Sequence, residues 1–273
     1  MPHDVTPDGL HLLTGGWGAL GVEEIGATVV SWRPGCRERL YTASDALVGA
    51  ERMWHGGIPV CAPWFGVGNG GVPFIHGLTP KVRWRTLEVT ADEGRAHIVL
   101  VTDAQVMSHL PGAERFPSDL RYELDVVADA TTLTLGLTIA SPSREATVEM
   151  ALHPYLLTDT ARTQVTGLGG VAYHDFSNGL DGVGEDPLAV ARYVDRVYTD
   201  APPTTLSDGS STLRLAAQGA NSVVVWNPGP DNDQVPGEEW ADFVCLEYAD
   251  VKSGTLTIPA GSSHLLRLSI IAD

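Results

Sequence analysis

Seven stretches of this chain alternate apolar and polar residues every second position, and short turns separate them. They are RAHIVLVTD (95–103), LRYELDVVAD (120–129), TTLTLGLTIA (131–140), ATVEMALHPYLL (146–157), NSVVVWN (221–227), DFVCLEYAD (242–250) and HLLRLSIIAD (264–273). A period of two places alternate side chains on opposite faces of a strand; a helix would scatter them. Val, Leu, Ile, Thr and Tyr dominate these runs, and DEG, SPS, SDGSS and PAGSS punctuate the chain with turn residues. The nearest approach to a helix is DALVGAERMW (45–54), which reads as a short helical or loop segment. Many strands at short spacing predict an all-β sandwich or barrel. No Pro/Ser-rich linker interrupts it, so a single domain over 1–273 is expected. Two stretches of low hydrophobicity, 175–187 and 227–240, read as long surface loops, where function often resides.

Charge and motif content exclude several classes. The chain carries 17 basic against 34 acidic side chains, a net charge of −17 with His neutral. Such a surface repels nucleic acid and anionic lipid, so neither is an expected partner. Its only two lysines are Lys81 and Lys252. Cys36, Cys61 and Cys245 form no CxxC pair, which argues against a disulfide framework and a structural zinc. No charged-then-apolar leader opens the chain, and no apolar run nears the roughly 20 residues that span a bilayer. A soluble protein of the cytoplasm is the expectation. His55, His76, His153 and His264 lie far apart without HxH or HxxxH spacing, so no metal is expected. No GxSxG, P-loop or strand-borne GxGxxG occurs, and GVGNGG (66–71) lacks the Lys and helix of a phosphate cradle. No cofactor is expected.

The least regular stretch is GGIPVCAPWFG (56–66), with three glycines, two prolines and no charge. Pro59 and Pro63 each remove a backbone donor, while the glycines permit unusual backbone angles. It reads either as a buried crossing that plugs the end of a sandwich or as a rigid wall beside a ligand. Four polar residues stand out elsewhere. Glu247 follows Phe243, Val244, Cys245 and Leu246; a carboxylate on an apolar strand face is costly unless paired or working. It either faces solvent, pairs with an arginine, or serves as a base with a raised pKa. His153 lies in the apolar run EMALHPYLL, as a satisfied core residue or a proton donor near neutrality. His76, beside Gly77, reads as a loop residue on a tight bend. Asp195 flanks Arg196 in YVDRVY, and alternation leaves its direction open. Trp64 and Trp226 could fill the core or stack on a ligand.

HGGIPVCAPWFG resembles the GGIP-x-C-x-PWFG segment of the aldose 1-epimerase-like sugar mutarotases, in particular their hexose-6-phosphate mutarotase branch. Further segments agree in order: IHGLTPKVRW (75–84), ALHPYLL (151–157), VDRVY (194–198), VVVWNPG (223–229), FVCLEYADV (243–251) and LTIPAGSSHLLRLSI (256–270). The resemblance covers about residue 20 to the end. It implies a large antiparallel β-sandwich of the galactose-mutarotase-like type. It implies an isomerase of carbohydrate metabolism that interconverts α and β anomers of an aldohexose or hexose 6-phosphate. Ring opening needs one proton taken from the C1 hydroxyl and one given to the ring oxygen, which a carboxylate and an imidazole on opposite sides of the C1–O5 bond can do without cofactor. Glu247 falls on the family's base, His153 on its acid, and His76 and Asp195 on substrate contacts. The partner is then a monosaccharide or sugar phosphate. A non-catalytic carbohydrate-binding or sugar-sensing protein on the same fold is the alternative.

This sequence departs from the branch at two positions. His55 and Pro80 stand where the resemblance calls for arginines, and a guanidinium fork grips phosphate as neither replacement can. Arg52, Lys81, Arg83 and Arg85 lie nearby as substitutes. The expectation is retained catalysis with a weakened preference for a 6-phosphate, His55 remaining a substrate-binding candidate.

Overall fold

A computed structural model describes residues 3–46, 55–68, 70–72 and 74–273. Most of DALVGAERMW, and Arg52 with it, lies outside the described residues. Among the described residues helical backbone is confined to short 3-10 turns such as Thr79–Lys81. The alternating runs become strands, and every named strand pair is antiparallel.

One sheet has nine strands, in spatial order Leu188–Ala189, Gln164–Thr166, Thr204–Ser207, Thr212–Gln218, Ser262–Ala272, Thr132–Ser141, Arg121–Asp129, Arg95–Asp103 and Arg85–Ala91. Its long central strands expose one residue and bury the next, as in Arg121, Tyr122, Glu123 and Leu124. The second sheet has eight strands: β1 (Val60–Cys61), β2 (Met150–Leu152), β3 (Tyr155–Leu157), β4 (Ala172–Asp175), β5 (Leu180–Val183), β6 (Val194–Tyr198), β7 (Ser222–Asn227) and β8 (Phe243–Asp250). Their order is β5-β4-β6-β7-β8-β2-β1, and β3 also pairs with β8. A four-stranded sheet from His3–Val5 to Val29–Pro34 packs beside them. The predicted antiparallel β-sandwich is therefore the fold.

The principal core lies between the two large sheets. Leu124, Leu135, Leu137, Leu266 and Leu268 of the first meet Val223, Val225, Val244, Leu246 and Tyr248 of the second. In β8 every residue is buried, so both faces of this strand are covered. Val244, Leu246 and Tyr248 face the core, while Cys245 and Ala249 join clusters on the opposite side, where Glu247 also points. The stretch 175–187, expected as a loop, supplies the turn and second strand (β5) of the β4–β5 hairpin, and 184–187 is irregular. Its exposed side chains obscured the pattern, since neither face packs on a core. Between the end of β7 and the short 3-10 turn Glu239–Asp242, the stretch 228–238 is irregular.

Tyr248 anchors the sheet-to-sheet contact with its polar tip. Its hydroxyl lies 2.8 Å from Pro202 O and 3.1 Å from both Leu215 O and the Thr204 hydroxyl. Tyr248→Phe leaves a buried carbonyl without its donor, at a cost of about 1–3 kcal/mol. The urea midpoint of the variant should fall accordingly with unchanged slope. A loss under roughly 0.5 kcal/mol, the range of ordinary surface substitutions, would contradict this account of the hydroxyl.

Candidate active site

The face of the eight-stranded sheet turned away from the main core forms the floor of a cavity of about 310 Å³. Strand register brings its floor together. Asp195 pairs with Trp226, Val197 with Val224, Val224 with Glu247, and Trp226 with Cys245. Asp195, Val197, Val224, Trp226 and Glu247 therefore share one face, and all line the cavity with His76, His153, Tyr155 and Lys252.

The GGIPVCAPWFG strap explains how His153 comes to face Glu247. Its middle is β1, which pairs with β2 through Cys61–Ala151 and Val60–Leu152. Past β2 the pairing continues irregularly: the His153 N–H donates to Pro59 O (3.1 Å) and the Tyr155 N–H to Gly57 O (2.9 Å). The prolines supply acceptors here and owe no donor. Ile58, Val60, Ala62 and Trp64 enter the main core, while Cys61 and Phe65 turn toward the cavity side. Both readings of the strap thus hold at once, as plug and as wall. Gly77 closes it against the next loop: a side chain there would meet Ala62 O at 1.9 Å, and its φ is +84°.

Glu247 Oε1 lies 3.3 Å from His153 Nε2, and both side chains are almost fully buried. Glu247 Oε2 has no hydrogen-bond partner among the described residues. Burial raises the Glu247 carboxyl well above its ordinary 4.5, and Asp195 adds to the effect. Burial likewise holds the His153 imidazole well below its ordinary 6.5, and the neighbouring His76 works in the same direction. The resemblance gives His153 the acid's part, protonated when the ring oxygen needs a proton; burial works against that charged form in the free site. The pair was also expected on opposite sides of a bond. It is in direct contact, which still serves two oxygens attached to one carbon.

Aromatic rings wall the pair. His153 stacks on Tyr155 with centroids 4.8 Å apart, and His76 meets it edge-on at 5.3 Å. His76 occupies a left-handed conformation at φ +63°, the tight bend read from Gly77. The Gly66 N–H donates to His76 Nδ1 (3.3 Å), which leaves Nε2 to carry the ring hydrogen. Burial keeps this ring neutral too, reinforced by His55 and Lys252.

Other predicted residues separate into two groups. Asp195 faces the cavity, accepts a hydrogen bond from Tyr193, and has its carboxyl raised by burial and by Asp175. Arg196 points the other way, to Asp175 (3.0 Å) and Glu185 (2.8 Å), so the simple Asp195–Arg196 surface pair does not form. Trp226 is on the cavity wall and His55 stacks behind it at 6.4 Å. Trp64, in contrast, is no ligand platform: it lies in the core between Phe74 and Phe116, each 5.9 Å away. Lys252 reaches the cavity although nothing in its local sequence singled it out.

Among the described residues no cluster of three or more His, Cys, Asp and Glu is arranged to hold a metal, and no helix is long and apolar enough to cross a membrane.

The fold and site together are a β-sandwich that buries a carboxyl–imidazole pair at the floor of a small, largely apolar cavity, an arrangement able to exchange protons with a small ligand. The family model for aldose 1-epimerase matches residues 17–270, and the chain belongs to that family; it is an isomerase with sugar substrates. Two similar proteins bear the name "Putative glucose-6-phosphate 1-epimerase". The one from Escherichia coli (strain K12) is 27% identical, over 89% of this chain and 85% of its own. The one from Salmonella typhimurium is 24% identical, over 81% and 76%. Among solved structures, a Salmonella typhimurium mutarotase-type protein (YeaD) superposes with a TM-score of 0.85 at 22% identity, covering 98% of this chain and 92% of its own. A galactose mutarotase-like protein from Clostridium acetobutylicum gives 0.71 at 15% identity, covering 97% and 95%. At these identities the structures establish the fold.

The buried carboxyl has a consequence for stability. Above pH 4.5 the unfolded chain releases this proton, whereas folded Glu247 retains it to higher pH. Its contribution to stability is therefore complete below 4.5 and is lost as pH climbs through the raised folded value. Glu247→Gln removes that loss. The variant should have a higher denaturant midpoint than the wild type at pH 8, with the gap closing toward pH 4.5. A gap that does not change with pH would contradict a raised Glu247.

Proposed function

We propose that the protein interconverts the α and β anomers of an aldohexose by acid–base ring opening and closure at Glu247 and His153. The observation that carries this reading is their 3.3 Å contact at the cavity floor, with burial shifting the two groups in opposite directions. In water the ordinary values of 6.5 and 4.5 favour imidazolium and carboxylate over the neutral pair about a hundredfold. Burial works against that bias from both sides. The bound sugar's hydroxyls hydrogen-bond the free Glu247 oxygen and bring the pair to its ionic form.

Glu247 then takes the C1 hydroxyl proton as His153 gives its proton to the ring oxygen. The ring opens to the aldehyde, and the pair becomes neutral carboxyl and neutral imidazole, the form that burial prefers. After rotation about the C1–C2 bond the transfers reverse and the other anomer closes. The same two groups serve as acid and base in turn, so no proton is gained or lost over the cycle. His76 Nε2–H and the Asp195 carboxyl hold the sugar, and Trp226 offers a stacking face. Because His55 and Pro80 replace two guanidinium positions, a 6-phosphate gives only a modest advantage.

Polarimetry on a freshly dissolved pure anomer of glucose tests the proposal. The wild type should speed the approach to equilibrium, and Glu247→Gln or His153→Gln should each slow it by about 10²–10⁴-fold with the fold intact. An unchanged rate in Glu247→Gln removes that residue from the mechanism. Sugar binding with no acceleration by the wild type would favour a carbohydrate-binding role instead.

A further inference from the structure

Lys252 is the only lysine or arginine among the described residues that line the cavity. Three other basic side chains among the described residues are engaged elsewhere. Arg83 binds Glu24 (2.6 Å) and Asp8 O (2.8 Å), Arg196 is held by Asp175 and Glu185, and the Lys81 ammonium lies 5.8 Å over the Phe74 ring.

Lys252 is built into place. Its backbone adopts φ +57°, the left-handed region that a long side chain seldom occupies. The Lys252 N–H donates to Glu149 Oε1 (2.6 Å), while Glu149 Oε2 accepts the Phe65 N–H (2.9 Å). One carboxylate thus fastens the lysine turn to the strap that forms the cavity wall. The ammonium lies over the rings of Phe65 (5.7 Å) and Phe176 (5.9 Å), within 3.4 Å of Phe65 O. No described carboxylate forms a salt bridge with it, and two of its three N–H donors remain for a ligand. In a protein of net charge −17, this ammonium on the wall of the substrate cavity, with Asp195 as an electrostatic neighbour across the same cavity, is the feature that would draw an anion there.

We propose that Lys252 is a specificity-determining residue that binds an anionic substituent, phosphate or carboxylate, carried by the sugar. This rests on the reading of the cavity as the mutarotation site. It agrees with the modest phosphate advantage proposed above, since a single ammonium attracts an anion without the bidentate grip of a planar fork.

Calorimetric binding and polarimetric exchange should be measured for glucose, glucose 6-phosphate and glucuronate, using wild type, Lys252→Met and Lys252→Arg. In the wild type one or both acids should bind and turn over roughly tenfold better than glucose, the worth of a charge-assisted hydrogen bond. Whichever acid holds the advantage identifies the group. Lys252→Met should bring the ratio to about one, Lys252→Arg should keep it, and added salt should shrink it. The inference is overturned if the wild type shows no advantage for either acid, or if Lys252→Met leaves the ratio intact. Should Lys252-dependent binding of an acid occur without any anomer exchange, mutarotation fails while the role of Lys252 stands.

Discussion

A carboxyl group beneath apolar side chains on a strand buried on both faces is an expensive element, and the surroundings of Glu247 are organised around it. Its one close partner, His153, is itself nearly without solvent, so neither group gains what water would offer its charged form. At a solvent-exposed position such a pair would sit as a settled ion pair. Here desolvation works against the ion pair from both sides, leaving a proton whose location a bound hydroxyl can change. The strap exists in this form because His153 must be held against Glu247 without a regular ladder. Prolines accept hydrogen bonds from the His153 strand while leaving no donors unmet, and Gly77 lets the following loop touch the strap's backbone.

Other polar contacts serve the same geometry from a distance. Glu149 joins the strap to the turn after β8. Arg196, drawn to Asp175 and Glu185 and covered by the Tyr173 ring at 4.3 Å, fixes β6 so that Asp195 turns toward the cavity. The sheet acts as a template: alternate residues of β6, β7 and β8 build either the sandwich core or the site, and a shift of one residue would exchange the two.

Much of this was legible beforehand, for identifiable reasons. Strands on the nine-stranded sheet alternate cleanly because one face meets water, and Glu247 stood out in β8 because four apolar residues precede it. What escaped depended on long-range neighbours. Asp195 could not be oriented from VDRVY alone, since its direction follows from pairing with Trp226 on β7. Trp64 and Trp226 carry the same ring, and only the placement of Phe74 and Phe116 makes the first a core residue. Lys252 resembles any surface lysine until Glu149, distant in sequence, pins its turn to the cavity wall. The downward pull on the His153 imidazole was not legible either, because the dryness of its site is a tertiary property that no local pattern carries.

The central claim is that Glu247 and His153 share one proton in its neutral arrangement until a sugar arrives. Isotope-edited NMR of the free protein reads it directly, through the Glu247 carboxyl carbon and the His153 ring nitrogens followed against pH. The account predicts a Glu247 carboxyl still protonated well above 4.5 and a His153 ring still neutral well below 6.5. Ordinary titration of each group at its aqueous value, or a permanent imidazolium–carboxylate signal at neutral pH, would contradict it.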